Sequence, residues 1–166
     1  MSAPDLAATA PRESFWQRRI VAPIAAQLQQ GITPEKIALT VALGIVLGTF
    51  PILGSTTLLC GIAAATFRLN QPIIQLVNYF VYPLQLVLVI PFYRAGETLF
   101  GKDHIPLSIP LLFQRFGADA WQFVKDFGMI AVHGIIVWTL LAPLCIATFY
   151  FLTRPPLRGL ALKLRR

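Results

Sequence analysis

Apolar residues are gathered into long runs along this chain, and short polar or proline-containing breaks separate them. The run 73–93 has 21 residues, and the run 129–152 has 24. About 20 apolar residues suffice to cross a hydrocarbon layer of about 30 Å as a helix. The pattern therefore predicts two full transmembrane helices, of which the first contains Pro83 and Pro91.

Two shorter apolar runs, 37–50 and 56–67, flank the segment 48–57, which reads GTFPILGSTT. At about 1.5 Å per residue each run covers only about 18–21 Å, which is less than a bilayer core. The sequence predicts a broken helical hairpin, either re-entrant or made of two thin spans. Thr33 is the expected N-cap of its first helix, and Pro34 suits the first turn.

The remaining segments are more polar or mixed in composition. Aromatic residues and arginines in 15–30 predict an interfacial helix, or else an amphipathic helix packed on the protein. The expected fold is an all-α integral membrane bundle in which the broken hairpin precedes the two spans. Its predicted parts are a disordered N-terminus, a membrane domain, an extramembrane amphipathic segment, a transmembrane helix and a basic cytoplasmic tail: 1–14, 15–101, 102–127, 128–153 and 154–166.

Composition supports a membrane protein, since 56% of the residues are hydrophobic and only 13% are charged. Soluble domains carry about 25% charged residues, so a soluble helical protein with a large core is disfavoured. The net charge is +7. Its basic residues flank the apolar runs, where they set orientation and contact anionic lipid. We therefore expect the bilayer and anionic lipid at the basic tail as partners, and no nucleic acid.

Charge also predicts the orientation of the chain. The tail 154–166 has five positive charges and no negative ones, whereas the segment 94–127 has four of each sign. Because lysine and arginine accumulate on the cytoplasmic side, both termini are expected to be cytoplasmic and the segment 94–127 external.

A backbone break inside a bilayer needs polar partners, because each unpaired peptide group costs several kcal/mol in hydrocarbon. One interpretation is a substrate site, in which hydroxyls and free N–H groups at the start of the second short helix bind an anion. The other is structural, with the hydroxyls capping that helix and satisfying the local backbone. Small residues also predict tight packing of the two short helices against each other: Ala42, Gly44 and Gly48.

Polar residues recur along the first long span at intervals of four, three, four and three, which places them on one helix face: Gln71, Gln75, Asn78, Tyr82 and Gln85. This face either lines a small cavity with the broken segment or makes helix–helix hydrogen bonds of about 1 kcal/mol each. The candidate substrate-binding residues are Gly48, Pro51, Gly54, Ser55, Thr56, Thr57, Asn70, Asn78, Tyr82 and Pro83.

Catalytic chemistry has little support in the sequence. The isolated candidates are Glu97, Asp103, His104 and His133, and no nucleophile, phosphate-loop or zinc motif accompanies them. Glu97 follows Arg94 by three residues, which predicts a local ion pair. Cys60 and Cys145 lie within apolar runs and are expected to be core residues rather than a disulfide. No catalytic residue, metal or cofactor is expected.

Residues 33–101 resemble a bacterial membrane family called domain of unknown function 2062. The shared landmarks are the Pro-Glu-Lys helix start, the G-x-x-P-x-x-G turn from Gly48, the Arg-Leu-Asn at 68–70 and a proline-containing long helix that ends in Gly96. Tyr82 departs from the family pattern, in which asparagine often precedes the proline. The resemblance implies an uncharacterised inner-membrane protein, and relatives that carry the domain beside a glycosyltransferase suggest envelope or lipid-linked sugar metabolism.

Three functions are compatible with these features. The first is transport or translocation of an anionic or lipid-linked small molecule through the broken segment. The second is a scaffold or accessory subunit for a membrane enzyme such as a glycosyltransferase, and the third, with least support, is an intramembrane enzyme. A chain this small is expected to need an enzyme partner or a second copy of itself. A hydrated cavity touching the turn and residues 75–85 would favour transport, and a filled contact would favour the scaffold.

Overall fold

The computed structural model describes residues 32–102 and 117–164, and helices are the only regular elements of this part. In chain order they are α1 (Pro34–Gly48), α2 (Thr56–Phe67), α3 (Gln71–Leu99) and α4 (Ala120–Leu164). The predicted all-α class is confirmed. The predicted disordered N-terminus, the helix at 15–30 and most of the segment 102–127 lie outside the described residues.

Helix α1 lies at the centre of the described bundle and packs against the other three helices. It begins as the sequence predicts, since the Thr33 side chain accepts a hydrogen bond from the backbone N–H of Lys36 at 3.3 Å and Pro34 follows. The hydroxyl of Thr49 donates to the carbonyl of Val46 at 2.8 Å where the helix ends. Central packing explains why so short a helix is apolar on most of its faces.

Helix α2 returns beside α1 and ends at Arg68, whose φ of 51° is left-handed. The N–H of Leu69 then donates to the carbonyl of Ala64 at 2.8 Å, which satisfies one of the last helical acceptors. A buried cluster joins α1, α2 and the start of α3: Leu43, Cys60, Ala64 and Ile74. Cys60 and Cys145 are both free.

Glycines place α1 against α3 rather than against α2. A Cβ at Gly44 would lie 2.9 Å from side-chain atoms of Val77, and one at Gly48 would lie 3.4 Å from the Cα of Asn78. The prediction that Gly44 and Gly48 serve the packing of the two short helices against each other is therefore wrong. They allow a close approach of α1 to the long helix that follows.

Helix α4 has 45 residues and continues into the segment 154–166, which the sequence predicts as a basic tail. Tertiary contacts hold this extension on α1. Leu157 packs against Ile37 and Ala38, and an Arg158 guanidinium nitrogen lies 2.7 Å from Oε1 of Glu35. These contacts offset the cost of Pro155 and Pro156, which remove backbone donors.

Two helical stretches of the described chain are long and apolar enough to cross a membrane: Gln71–Leu99 and Phe127–Lys163. They contain the two runs that the sequence predicts as spans. α2 is apolar but shorter.

Candidate functional site

The turn that joins α1 to α2, residues 49–55, combines a buried proline with an exposed tip. Pro51 is almost fully buried, whereas Leu53 and Gly54 are exposed. Gly54 has a φ of 83°, and an added Cβ would meet no atom within 4 Å. Glycine is therefore favoured at this position by its backbone conformation rather than by crowding.

Two side chains of α3 bind three consecutive carbonyl groups of this turn. The Gln85 amide nitrogen donates to the carbonyls of Phe50 at 2.8 Å and Ile52 at 3.4 Å. The Tyr93 hydroxyl donates to the carbonyl of Pro51 at 2.7 Å. We call Gln85 and Tyr93 the carbonyl clamp. It supplies the polar partners that a broken helix needs where water is excluded.

Helix α4 packs against the Tyr93 ring of the clamp. A Cβ at Gly134 would lie 2.5 Å from Cδ1 of Tyr93, so only glycine leaves room for the ring as it stands. One turn further along α3, a Cβ at Gly96 would lie 2.7 Å from the backbone carbon of His133. The α3–α4 crossing is thus fixed at the height of Tyr93.

The turn itself also contacts α4. The rings of Phe50 and Trp138 meet edge to face, with their centroids 5.0 Å apart. Such a pair adds about 0.5–1.5 kcal/mol to the burial of the rings. This contact fixes the height of the turn along α4.

The start of α2 is bound by a second group of polar residues. The Gln75 amide nitrogen donates to the carbonyl of Thr57 at 2.9 Å. The Asn78 amide nitrogen lies 3.5 Å from the Thr57 hydroxyl and 3.4 Å from Oε1 of Gln75. A Cβ at Gly48 would lie 3.2 Å from Oδ1 of Asn78, so the glycine admits the asparagine beside α1.

The structure brings some of the predicted site residues together. Gly48, Thr57 and Asn78 meet at the start of α2, and buried Pro51 is held by the carbonyl clamp. Thr56 is buried beside Thr57 in the first turn of α2.

Other predicted site residues take local roles. The sequence suggested that the Ser55 hydroxyl caps α2, but it makes no cap hydrogen bond. It donates instead to the carbonyl of Ile52 at 2.8 Å. The Asn70 side chain caps α3 by accepting from the N–H of Ile73 at 3.0 Å. Tyr82 is 46% exposed, Pro83 beside it is exposed too, and no hydrogen bond among the described residues joins the Tyr82 hydroxyl to the turn.

Sequence reasoning missed Tyr93 entirely and kept Gln85 out of the candidate set. Tyr93 is the last residue of the apolar run 73–93, and the run pattern does not distinguish it from its apolar neighbours. Its phenolic hydroxyl was the available signal, since a buried tyrosine usually finds a hydrogen-bond partner. Gln85 was recognised as part of the polar face, and it is fully buried.

An open groove runs along the outer side of α2 and α3 and reaches the turn. We call it the outer groove; its volume is about 640 Å³. It is lined by small, polar and aliphatic residues: Gly54, Thr57, Leu58, Gly61, Ile62, Ala65, Gln71 and Gln75. It opens to the surroundings of the bundle, whereas the clamp lies inside.

Two further polar features lie in the clamp and next to it. Oε1 of Gln85 is buried and has no hydrogen-bond partner among the described residues. Beyond Tyr93, Arg94 and Glu97 form the predicted ion pair, with Nη1 and Oε2 3.0 Å apart. The described residues contain no group of three or more metal-binding side chains.

Comparison with known families gives one match. The model of the family described as "Uncharacterized protein conserved in bacteria (DUF2062)" matches residues 18–165. This match confirms the resemblance seen in residues 33–101 and extends it over most of the chain. No curated protein and no solved structure matches the chain.

Proposed function

Because the chain belongs to the bacterial family DUF2062, we propose that it is a multi-pass protein of the bacterial inner membrane that acts as an accessory subunit. In this proposal the α1–α2 hairpin is re-entrant, both termini are cytoplasmic, and the outer groove binds a transmembrane helix of a partner. The observation that carries the proposal is the contrast between the filled inner contact of the turn and the open outer groove.

Membrane placement is supported by the exposure of the two long helices. In the most apolar 18-residue stretch of each helix, the buried share is 22% for Gln71–Leu99 and 6% for Phe127–Lys163. A core helix of a soluble protein buries most of such a window, and large exposed apolar surfaces mark contact with lipid or protein. Lipid around α3 and α4 accounts for this exposure.

The position of the turn along α4 supports a location inside the lipid layer. Trp138, which contacts Phe50, precedes Arg154 by 16 residues, or about 24 Å along a helix. A hydrocarbon layer is about 30 Å thick. With Arg154 at the cytoplasmic edge, the turn lies inside the layer, which supports a re-entrant hairpin.

The inner face of the turn supports docking rather than passage. Gln85 and Tyr93 occupy the carbonyls of residues 50–52, so the turn contacts the polar face of α3 directly. A path for a solute between the turn and α3 would require these hydrogen bonds to break. The contact therefore stabilises a fixed hairpin.

The outer groove has the features of a helix-binding surface in a membrane. Gly61 and Ala65 are four residues apart on α2 and permit close approach of another helix. Gln71 is exposed and Gln75 is half-buried along the same groove. Gln75 is already bonded to Thr57 and Asn78, but an exposed amide such as that of Gln71 would lack partners in lipid. A helix with hydrogen-bonding groups therefore fits here better than an acyl chain.

The partner that we propose is a membrane enzyme of the cell envelope such as a glycosyltransferase. The resemblance implies this class, because relatives carry the domain beside such an enzyme. A second copy of this chain is the alternative occupant of the same groove.

Photocrosslinking in the native membrane tests the docking surface. A benzophenone amino acid at Ile62, in the groove, should give a discrete adduct with another membrane protein, and Gly61→Leu should abolish it. The same label at Leu140, on exposed α4 surface, is the control. Adducts with lipid alone at both positions would contradict docking. An adduct between two copies of the chain would identify the alternative occupant.

Translocation of an anionic or lipid-linked molecule is the second candidate, and the unpartnered Oε1 of Gln85 favours it. A buried acceptor without a partner costs about 1–3 kcal/mol, so a water or solute donor beside the turn would stabilise it. Translocation requires water to reach the groove. Thr57→Cys would then react with a membrane-impermeant thiol reagent in intact cells or inverted vesicles, whereas a docked helix predicts no reaction from either side.

A further inference from the structure

A second groove lies at the opposite end of the bundle, between the first half of α1 and residues 143–151 of α4. Its volume is about 620 Å³, and we call it the basal groove. Its walls are mainly apolar, and Lys36 lies at one end. It is lined by Glu35, Lys36 and Leu39 of α1 and by Pro143, Ile146, Ala147, Tyr150 and Phe151 of α4.

Positive charge is concentrated at the Lys36 end of this groove. The Arg154 guanidinium lies 5.8 Å from the ring centre of Tyr150. Arg158 lies beyond it, bound to Glu35 at 2.7 Å. Arg154 and Arg158 both lie against the Glu35 carboxylate, and with Lys36 the group has a surplus of two positive charges.

Donors in this cluster remain available to an anion. Lys36 forms no ion pair within the described part of the chain. The Arg154 side chain, although its Nε lies 3.5 Å from Oε1 of Glu35, is 31% exposed and can be approached from outside the bundle. An oxygen-rich anion at this position would gain charge-assisted hydrogen bonds.

We propose that the basal groove binds one anionic phospholipid of the cytoplasmic leaflet. Its phosphate lies beside Lys36 and Arg154, and an acyl chain lies along Leu39, Ala147 and Phe151. A soluble anion would use the charges but not the apolar wall, and a zwitterionic lipid would leave the surplus charge unbalanced. Basic pockets between helices at the cytoplasmic face are suited to such headgroups. The proposal depends on the membrane placement of α4 and is independent of docking at the outer groove.

Native mass spectrometry of the full chain in mild detergent tests this site with two lipids that have the same dioleoyl chains. Phosphatidylglycerol is expected to bind on the order of tenfold more tightly than phosphatidylcholine, because each basic residue contributes about 1 kcal/mol to the binding of an anionic lipid. Lys36→Gln should weaken phosphatidylglycerol binding by about fivefold on the same basis. Ala147→Trp, which fills the groove from an exposed position, should weaken the binding of both lipids.

Matched controls separate a defined site from diffuse attraction. Lys163→Gln removes a charge of the same kind from the last turn of α4, and Leu140→Trp adds bulk on exposed surface. Both should bind phosphatidylglycerol as the parent does. Equal affinity for the two lipids, or an equal loss in Lys36→Gln and Lys163→Gln, would overturn the proposal. Displacement of the lipid by an equal concentration of glycerol phosphate would also overturn it, because the apolar wall would then contribute nothing.

Discussion

The hydroxyl of Tyr93 donates a hydrogen bond to the carbonyl of Pro51, at a point where the helical pattern of α1 has stopped. Replacement by phenylalanine removes the donor and leaves that carbonyl without this partner. We expect Tyr93→Phe to destabilise the protein by about 1 kcal/mol, measured as the free energy of unfolding in detergent micelles.

Tyr82 provides the matched control because it lies on the same helix and is 46% exposed. Tyr82→Phe should leave the free energy of unfolding nearly unchanged, since its hydroxyl makes no hydrogen bond within the described part of the chain. Equal losses in the two variants would contradict the role of Tyr93 in the clamp.

Gly96 allows α3 to cross α4 at close range. An added Cβ would lie 2.7 Å from the backbone carbon of His133, which cannot rotate away as a side chain can. Gly96→Ala should therefore destabilise the protein by about 1–3 kcal/mol through overpacking. Thermal unfolding of the purified chain measures this effect.

The control for Gly96 is Gly128, which is helical and has open space around an added Cβ. Gly128→Ala should stabilise α4 by about 0.5–1 kcal/mol, because alanine is the better helix former. If both alanine variants raise the melting temperature, the close crossing of α3 and α4 is wrong.

Single residues differ in how well the sequence predicts their roles. Thr33 and Pro34 were predictable because a helix start depends on neighbouring residues alone. Ser55 was not, because its hydroxyl had a competing local acceptor, the carbonyl of Ile52. Tyr93 and Pro51 are 42 residues apart, and nothing local to either one indicates the other.

At the scale of elements, periodicity located the helices but not all of their ends. The broken α1–α2 hairpin was predictable because glycine and proline interrupt an apolar pattern. The extension of α4 to Leu164 was not, since Pro155 and Pro156 argue locally for a helix end. Packing of Leu157 on α1 outweighs that local preference.

Glu35 joins the start of α1 to the extension of α4, and its titration should affect this contact. A backbone hydrogen bond, followed by Arg158 and Arg154, lowers the pKa of Glu35 from its ordinary value of 4.5. A lowered pKa in the folded state contributes stability above the ordinary value and loses it as the pH falls through the folded value. The α1–α4 contact should therefore weaken below about pH 4.5.

The variant Glu35→Gln isolates this contribution from that of other carboxyl groups. Its melting temperature should lie below that of the parent at about pH 7, and the difference should shrink at about pH 3.5. Differential scanning fluorimetry across this range measures both. A difference that does not change with pH would contradict the ion-pair explanation.

At the scale of the whole molecule, composition and run lengths were sufficient to predict an all-α chain with two helices able to span a membrane. Which helix lies at the centre was not predictable, because α1 and α2 have similar length and polarity. Burial decides it, because more than half of the residues of α1 are buried and only three of the twelve in α2. The hydrogen bonds from Gln85 and Tyr93 to the turn were not predictable either, because they join residues more than 30 positions apart.

The whole account depends on the depth of the turn, because the outer groove can bind a transmembrane helix of a partner only if it lies within the lipid layer. Spin labelling of Leu53→Cys, with Cys60 and Cys145 replaced by serine or alanine, measures this depth in vesicles through the relative accessibility to oxygen and to a water-soluble nickel complex. Labels at Leu140 and Lys163 provide references for the lipid layer and for water. We predict a depth at Leu53 close to that at Leu140; a nickel accessibility equal to that at Lys163 would place the turn in water and contradict the account.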